Sequence, residues 1–107
     1  EALMDVATAV SGSAPAYLYA FIEALEAAGA AHGLDPAAAQ RLARSTITSA
    51  AALLELEGGE PAELRRQVTS PGGTTEAALK VLLGDAGLPQ LMDRAVAAAV
   101  ARAKELG

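Results

Sequence analysis

Ten consecutive residues near the middle of this chain carry no charge: Ser45, Thr46, Ile47, Thr48, Ser49, Ala50, Ala51, Ala52, Leu53 and Leu54. They fall inside a predicted helix over 36–57, which Asp35-Pro36 caps and opens and Gly58-Gly59 stops. At about 1.5 Å per residue such a helix is about 33 Å long, which is long for a domain of 107 residues. Over about three turns it offers no water-facing stripe, and a helix of that kind is normally surrounded by protein. One small bundle can scarcely surround it. A two-fold partner packed along this helix is the economical solution, so a homo-oligomer is expected. The Ser and Thr hydroxyls can bond to carbonyls four residues back and need no functional role.

The remaining segments also read as helix. Residues 1–7 are apolar at Leu3, Val6 and Ala7 and resemble the end of a helix. A polar stretch from Thr8 to Ser13 interrupts it, with Ser13 a reasonable N-cap and Pro15 in the first turn of a helix over 15–31. Leu18, Phe21, Ile22 and Leu25 give that helix one apolar face, and Gly33-Leu34 looks like its C-cap. Pro61 opens a short helix to about 68. Another covers 75–83, Gly84-Asp85-Ala86-Gly87 is a turn, and Leu88-Pro89 opens the last helix. No segment alternates as a strand would. The fold class is therefore all-α, one bundle of about five helices.

Composition narrows the function. Eight basic against 13 acidic residues give a formal charge of −5, which argues against a nucleic-acid phosphate footprint. No uncharged run makes a credible membrane span, and no cationic leader precedes an apolar segment. The absence of cysteine excludes disulfides and thiolate catalysis and is compatible with a cytoplasmic location. One histidine without cysteine makes a zinc site a poor expectation, and no metal is predicted. His32, in the last turn of its helix, suits the helix dipole. Met92 reads as a core filler. Tyr17 and Tyr19 point in different directions on a helix, so one is expected in the core, and a ligand- or partner-facing place is the lesser alternative for the other. Arg65 and Arg66 could support an anion, or pair with Glu63.

Against this alanine-rich background one segment stands apart: Val68, Thr69, Ser70, Pro71, Gly72, Gly73, Thr74 and Thr75, leading into Glu76-Ala77-Ala78-Leu79. Pro71 fixes its own φ and biases Ser70 toward extended backbone. The glycines allow backbone angles or approaches that a Cβ would obstruct. The first amides of the following helix lack internal partners and lie at the positive end of its dipole. Together these suit a small anion such as a carboxylate or phosphate. The same residues also describe an ordinary helix start capped by Thr74 or Thr75. Neither a Walker-type loop nor a strand-flanked dinucleotide fingerprint occurs.

The longer pattern Pro61, Leu64, Val68, Thr69, Ser70, Pro71, Gly72, Gly73, Thr75, Ala78, Leu79 and Leu82 resembles the signature of pyrroline-5-carboxylate reductase. Thr8-Ala9-Val10-Ser11-Gly12-Ser13-Ala14-Pro15-Ala16-Tyr17, followed by Phe21-Ile22-Glu23-Ala24-Leu25, is similar to the same family's other marked segment. The resemblance covers essentially the whole chain. It implies an enzyme with an N-terminal Rossmann domain that binds NADPH or NADH and a C-terminal helical domain interleaved with that of a second subunit, the dimers often assembling into decamers. Residues 1–107 would be that C-terminal domain, with the Rossmann domain absent from this chain, so that the fragment alone is inactive. The implied reaction is hydride transfer to the imine carbon of L-1-pyrroline-5-carboxylate, giving L-proline in the last step of proline biosynthesis. The alternatives are a helical oligomerisation module, or a related reductase acting on another small cyclic imine.

By matching position, the family's roles carry onto this sequence. Val68, Thr69, Ser70, Pro71, Gly72, Gly73 and Thr74 would hold the substrate carboxylate, with the amides that follow. Thr75 matches the family's conserved threonine and would orient or relay a proton to the ring nitrogen, as the catalytic residue. Ser11, Gly12, Ser13 and Ala14 would lie near the nicotinamide. Four positions depart from the pattern. Ala14 stands where a glycine is usual, Glu60 where His often precedes the proline, Glu76 where an aliphatic is usual, and Leu83 where a polar residue is usual. A negative charge at Glu76 would weaken carboxylate binding if it pointed inward.

Overall fold

The computed structural model describes residues 2–107; the helical reading of Glu1 lies outside the described residues. The described chain contains helices and turns without a strand. Its helices are α1 (Ala2–Ala7), α2 (Ala14–Ala31), α3 (Pro36–Glu57), α4 (Pro61–Gln67), α5 (Thr74–Leu82) and α6 (Leu88–Leu106), with a π-helical turn over Thr8–Gly12 between α1 and α2. The chain divides into two compact units: residues 1–15 with 65–107, and residues 16–64.

In the second unit, sequence punctuation and geometry agree closely. The Asp35 carboxylate accepts from the Ala37 and Ala38 amides at 3.1 and 3.3 Å, the side-chain cap expected before a proline-led helix. Gly58, in left-handed backbone at φ 62°, ends α3 as its amide donates to Leu54. α2 ends in a Schellman turn. Gly33 has φ 108°, its amide donates to Ala30, and the Leu34 amide donates back to Gly29 at 3.1 Å. Gly29 has a second task, because a Cβ there would lie 3.3 Å from Leu34 Cδ1 and 3.4 Å from Ala39 Cβ. Its bare backbone lets Leu34 and Ala39 close onto α2, and Ala39 and Ala43 are buried. Arg44 Nε meets Glu26 Oε2 across the two helices at 3.2 Å. With the arginine largely exposed this pair contributes about 1 kcal/mol at most.

In the first unit, α1, the π-helical turn and α6 each pack on the other two, around the buried Ala9. Here the expectation of a break capped by Ser13 needs correction. Ser13 has helical backbone, φ −90° and ψ −23°, and its amide donates to Thr8 five residues back. Pro15 has no amide to give Ser11 the usual i−4 bond, so the ladder widens into a π-turn instead of stopping. The hydroxyls of Thr8 and Ser11 bond to the carbonyls of Met4 and Ala7, both at 2.9 Å.

The core is smaller than the sequence suggests. Only Ala9, Ala39 and Ala43 are buried apolar residues among those described. Leu18, Phe21 and Leu25 of the expected α2 face are exposed, and so is Met92, at 40%. Met92 is thus no core filler within the single chain: α6 meets α1 and the π-turn, which leaves this side chain uncovered. Tyr19 is exposed and Tyr17 half-buried. Along α3, every residue from Thr48 to Glu57 is exposed. The expected back-bonds are present: Thr46 Oγ1 donates to Leu42 at 2.7 Å and Thr48 Oγ1 to Arg44 at 3.1 Å.

Candidate functional site

The candidate residues 11–14 and 68–75 belong to the same unit, whereas Ala16, Tyr17, Phe21 to Leu25, Pro61 and Leu64 of the two marked segments belong to the other. In the first, Ser11 and Gly12 are exposed while Ser13 and Ala14 are half-buried. The Ser11 hydroxyl is held by Ala7, and the segment packs on α1 and α6. A Cβ on Gly12 would meet Thr8 Cγ2 at 3.5 Å, an ordinary contact.

The second segment can be read donor by donor. α4 ends at Gln67, one residue before the expected 68, and the Val68 and Thr69 amides donate to Arg65 and Arg66 at its end. The Thr69 hydroxyl also points back, donating to the Arg65 carbonyl at 2.6 Å. Pro71 has no amide. Gly72 takes φ 73°, the left-handed value that favours glycine, and Gly73 donates to Ser70 at 3.0 Å. A Cβ on Gly73 would press to 3.2 Å on that same Ser70 oxygen. Both glycines are therefore required by the turn itself.

Neither threonine caps the helix that follows. Gly73 is the N-cap of α5, with φ −88°, ψ −176° and no side-chain cap bond. Thr74 and Thr75 occupy the first two helical positions instead, because three hydroxyl-bearing or small residues in succession offer competing cap positions and Gly73 closes the preceding turn. The first helical bond of α5 runs from Ala77 to Gly73 at 3.2 Å. This leaves the amides of Thr74, Thr75 and Glu76 without a partner in the loop or helix, as geometry requires at a helix start. The Thr74 and Thr75 side chains are exposed, and no hydrogen bond of the loop takes either hydroxyl.

One participant was legible in type but not in role. Glu76 Oε1 accepts from the Gly72 amide at 2.9 Å, and Glu76 is half-buried. Glu76 is the third residue of α5, the position from which a glutamate reaches back in a capping box. The sequence carried that signal in Glu76 following the glycines.

Of the predicted carboxylate-holding residues, Val68, Thr69, Gly72 and Gly73 thus have their amides engaged within the chain. The open donors cluster at Thr74, Thr75 and Glu76. Among the described residues no group of acidic or histidine side chains could hold a metal ion, and no helix is long and apolar enough to cross a membrane.

An all-α domain with a glycine-capped, open helix start and a widened helical turn in one unit is the class these features define. The chain belongs to the family described as pyrroline-5-carboxylate reductase dimerisation, which it matches over residues 1–106. It is 46% identical to a pyrroline-5-carboxylate reductase of Pseudomonas aeruginosa over 99% of this chain and 38% of that protein. Among solved structures it is similar to a pyrroline-5-carboxylate reductase of Coxiella burnetii, with a TM-score of 0.92 and 42% identity over 100% of this chain and 39% of that one. It is also similar to a Plasmodium falciparum pyrroline carboxylate reductase with NADP bound, with a TM-score of 0.89 and 35% identity over 97% and 41% of the two chains. The chain spans about two fifths of the length of these relatives.

Proposed function

We propose that residues 1–107 form the dimerisation and substrate domain of an NAD(P)H-dependent pyrroline-5-carboxylate reductase, and that a separate Rossmann domain completes the enzyme. The observation that carries this reading is the family match over residues 1–106. In the complete enzyme, L-1-pyrroline-5-carboxylate is reduced to L-proline. The imine carbon accepts a hydride from the reduced nicotinamide while the ring nitrogen takes a proton, so that C=N becomes CH–NH and the dinucleotide is oxidised. The substrate carboxylate is held at the start of α5 by the open amides of Thr74 and Thr75, in a loop shaped by Val68, Thr69, Ser70, Pro71, Gly72 and Gly73. A carboxylate gains there from converging donors and from the helix dipole.

The Thr75 hydroxyl orients the ring nitrogen and relays a proton to it. A protonated imine is the better hydride acceptor, whereas an alcohol at its ordinary pKa is a poor acid, so the role is positioning or relay. Ser11, Gly12, Ser13 and Ala14 lie near the nicotinamide and shape that end of the pocket. The apolar residues left exposed on α2 and α3 are covered by a second copy in an interleaved homodimer, which assembles further into a decamer in the cytoplasm. The direct test supplies the full-length product with L-1-pyrroline-5-carboxylate and NADPH or NADH, follows nicotinamide absorbance and identifies the product. Proline-forming turnover supports the reading; a folded, oligomeric, full-length protein without it refutes it.

A further inference from the structure

We propose that Glu76 is a specificity-determining residue of this site, a built-in carboxylate that opposes the substrate's carboxylate at the start of α5. The inference rests on the proposed location of the carboxylate site and goes beyond it. Three observations carry it. Glu76 Oε1 accepts the Gly72 amide at 2.9 Å, so a negative oxygen already occupies one donor of the glycine turn. Gly73 and Thr69 direct their amides to Ser70 and Arg66, which confines an incoming carboxylate to the donors beside Glu76. The side chain is half-buried, where charge is less screened than on an open surface.

Both carboxylates draw on the same helix start, so they compete electrostatically. Glu76 also accepts from a glycine whose backbone is left-handed, at φ 73°. Its two effects are therefore separable: its oxygen shapes the turn, and its charge weakens the anion. Glu76→Gln keeps an acceptor for the Gly72 amide and removes the charge. Glu76→Leu removes both. Like charges that share one partly solvated helix start repel, so the Gln variant is expected to bind a carboxylate about threefold to tenfold more tightly, about 1 kcal/mol. A neutral ring of the same shape shows no such gain.

The test is calorimetric titration of cyclopentanecarboxylate, and separately of cyclopentanecarboxamide, into the full-length protein in the presence of NADP. Wild type, Glu76→Gln and Glu76→Leu are compared, with circular dichroism confirming fold. The expected result is tighter carboxylate binding to the Gln variant, an unchanged carboxamide affinity, and a smaller gain or a loss for Leu where the turn loosens. Equal or weaker carboxylate binding to a folded Gln variant overturns the proposal. So does an equal gain for both ligands, or no binding of the carboxylate by any form. Because binding is read without turnover, an enzyme inactive on L-1-pyrroline-5-carboxylate would refute the proposed reaction while leaving this result to stand or fall separately.

Discussion

Ala51→Asp tests whether the uncharged middle of α3 is an interface. Ala51 is exposed in the single chain, as is every residue from Thr48 to Glu57. Were this chain a finished monomer, an aspartate there would meet water and cost only the helix-propensity difference, about 0.5 kcal/mol. The chain belongs to a family described by its dimerisation, and a second copy packed along α3 would cover this uncharged, exposed stretch. An aspartate at the centre of such a contact is desolvated at about 3 kcal/mol or more, and two-fold symmetry places two in each dimer. The dissociation constant should rise by about ten-thousandfold. Sedimentation equilibrium of the full-length protein reads this directly, with Ala51→Ser as the neutral control whose hydroxyl bonds within its own helix. Retained helicity with an unchanged assembly mass for Ala51→Asp would refute the argument.

Three further substitutions probe the site and its supports. Thr75→Ala should lower turnover about tenfold, the worth of one well-placed hydrogen bond, and leave the sedimenting mass unchanged; unaltered steady-state kinetics would remove the residue from the mechanism. Asp35→Ala deprives the Ala37 and Ala38 amides of their acceptor and should cost about 1 kcal/mol, lowering the melting midpoint by about 4–8 °C. Gly87→Ala drives a Cβ against the carbonyl oxygens of Leu82 and Gly84. Backbone atoms cannot turn aside as a side chain can, so a loss of about 1–3 kcal/mol is expected, and an unchanged thermal melt would contradict the packing of that turn.

Helix limits were the legible part of this fold, because they are written in residues with few conformational choices. Pro36 and Pro61 start helices, Gly33 and Gly58 end them in left-handed backbone, and Asp35 caps as its type predicts. The π-turn at Thr8–Gly12 was not legible. It depends on which carbonyl the Ser13 amide reaches once Pro15 withdraws a donor, a choice of one residue in register that composition does not encode. Burial was legible only in half. Periodicity marks the apolar face of α2 through Leu18, Phe21 and Leu25, but it does not say which chain covers that face, and within one chain those residues remain exposed. The same limit explains Met92. At the site, residue types marked the loop, while the division of its amides between engaged and open required geometry.

That division bears on the two readings the loop allowed from sequence. An ordinary helix start with a serine or threonine cap folds its hydroxyl onto the amide of the second or third helical residue, closing the donors that an anion would need. Here the cap is Gly73, which has no side chain to fold back. Thr74 and Thr75, the cap residues expected from sequence, stand one and two places inside α5 with their hydroxyls outside the loop's hydrogen bonds. A glycine cap gives up about 1 kcal/mol or less of helix stability relative to the best capping residues, a concession the turn itself requires, because a Cβ on Gly73 would lie 3.2 Å from the Ser70 carbonyl oxygen. The same cap leaves the Thr74 and Thr75 amides without a side-chain acceptor, the arrangement that the proposed substrate carboxylate would use. Glu76 takes up the Gly72 amide, so its oxygen supports the turn while the Thr74 and Thr75 amides stay unengaged, and its charge is what the proposed carboxylate has to overcome.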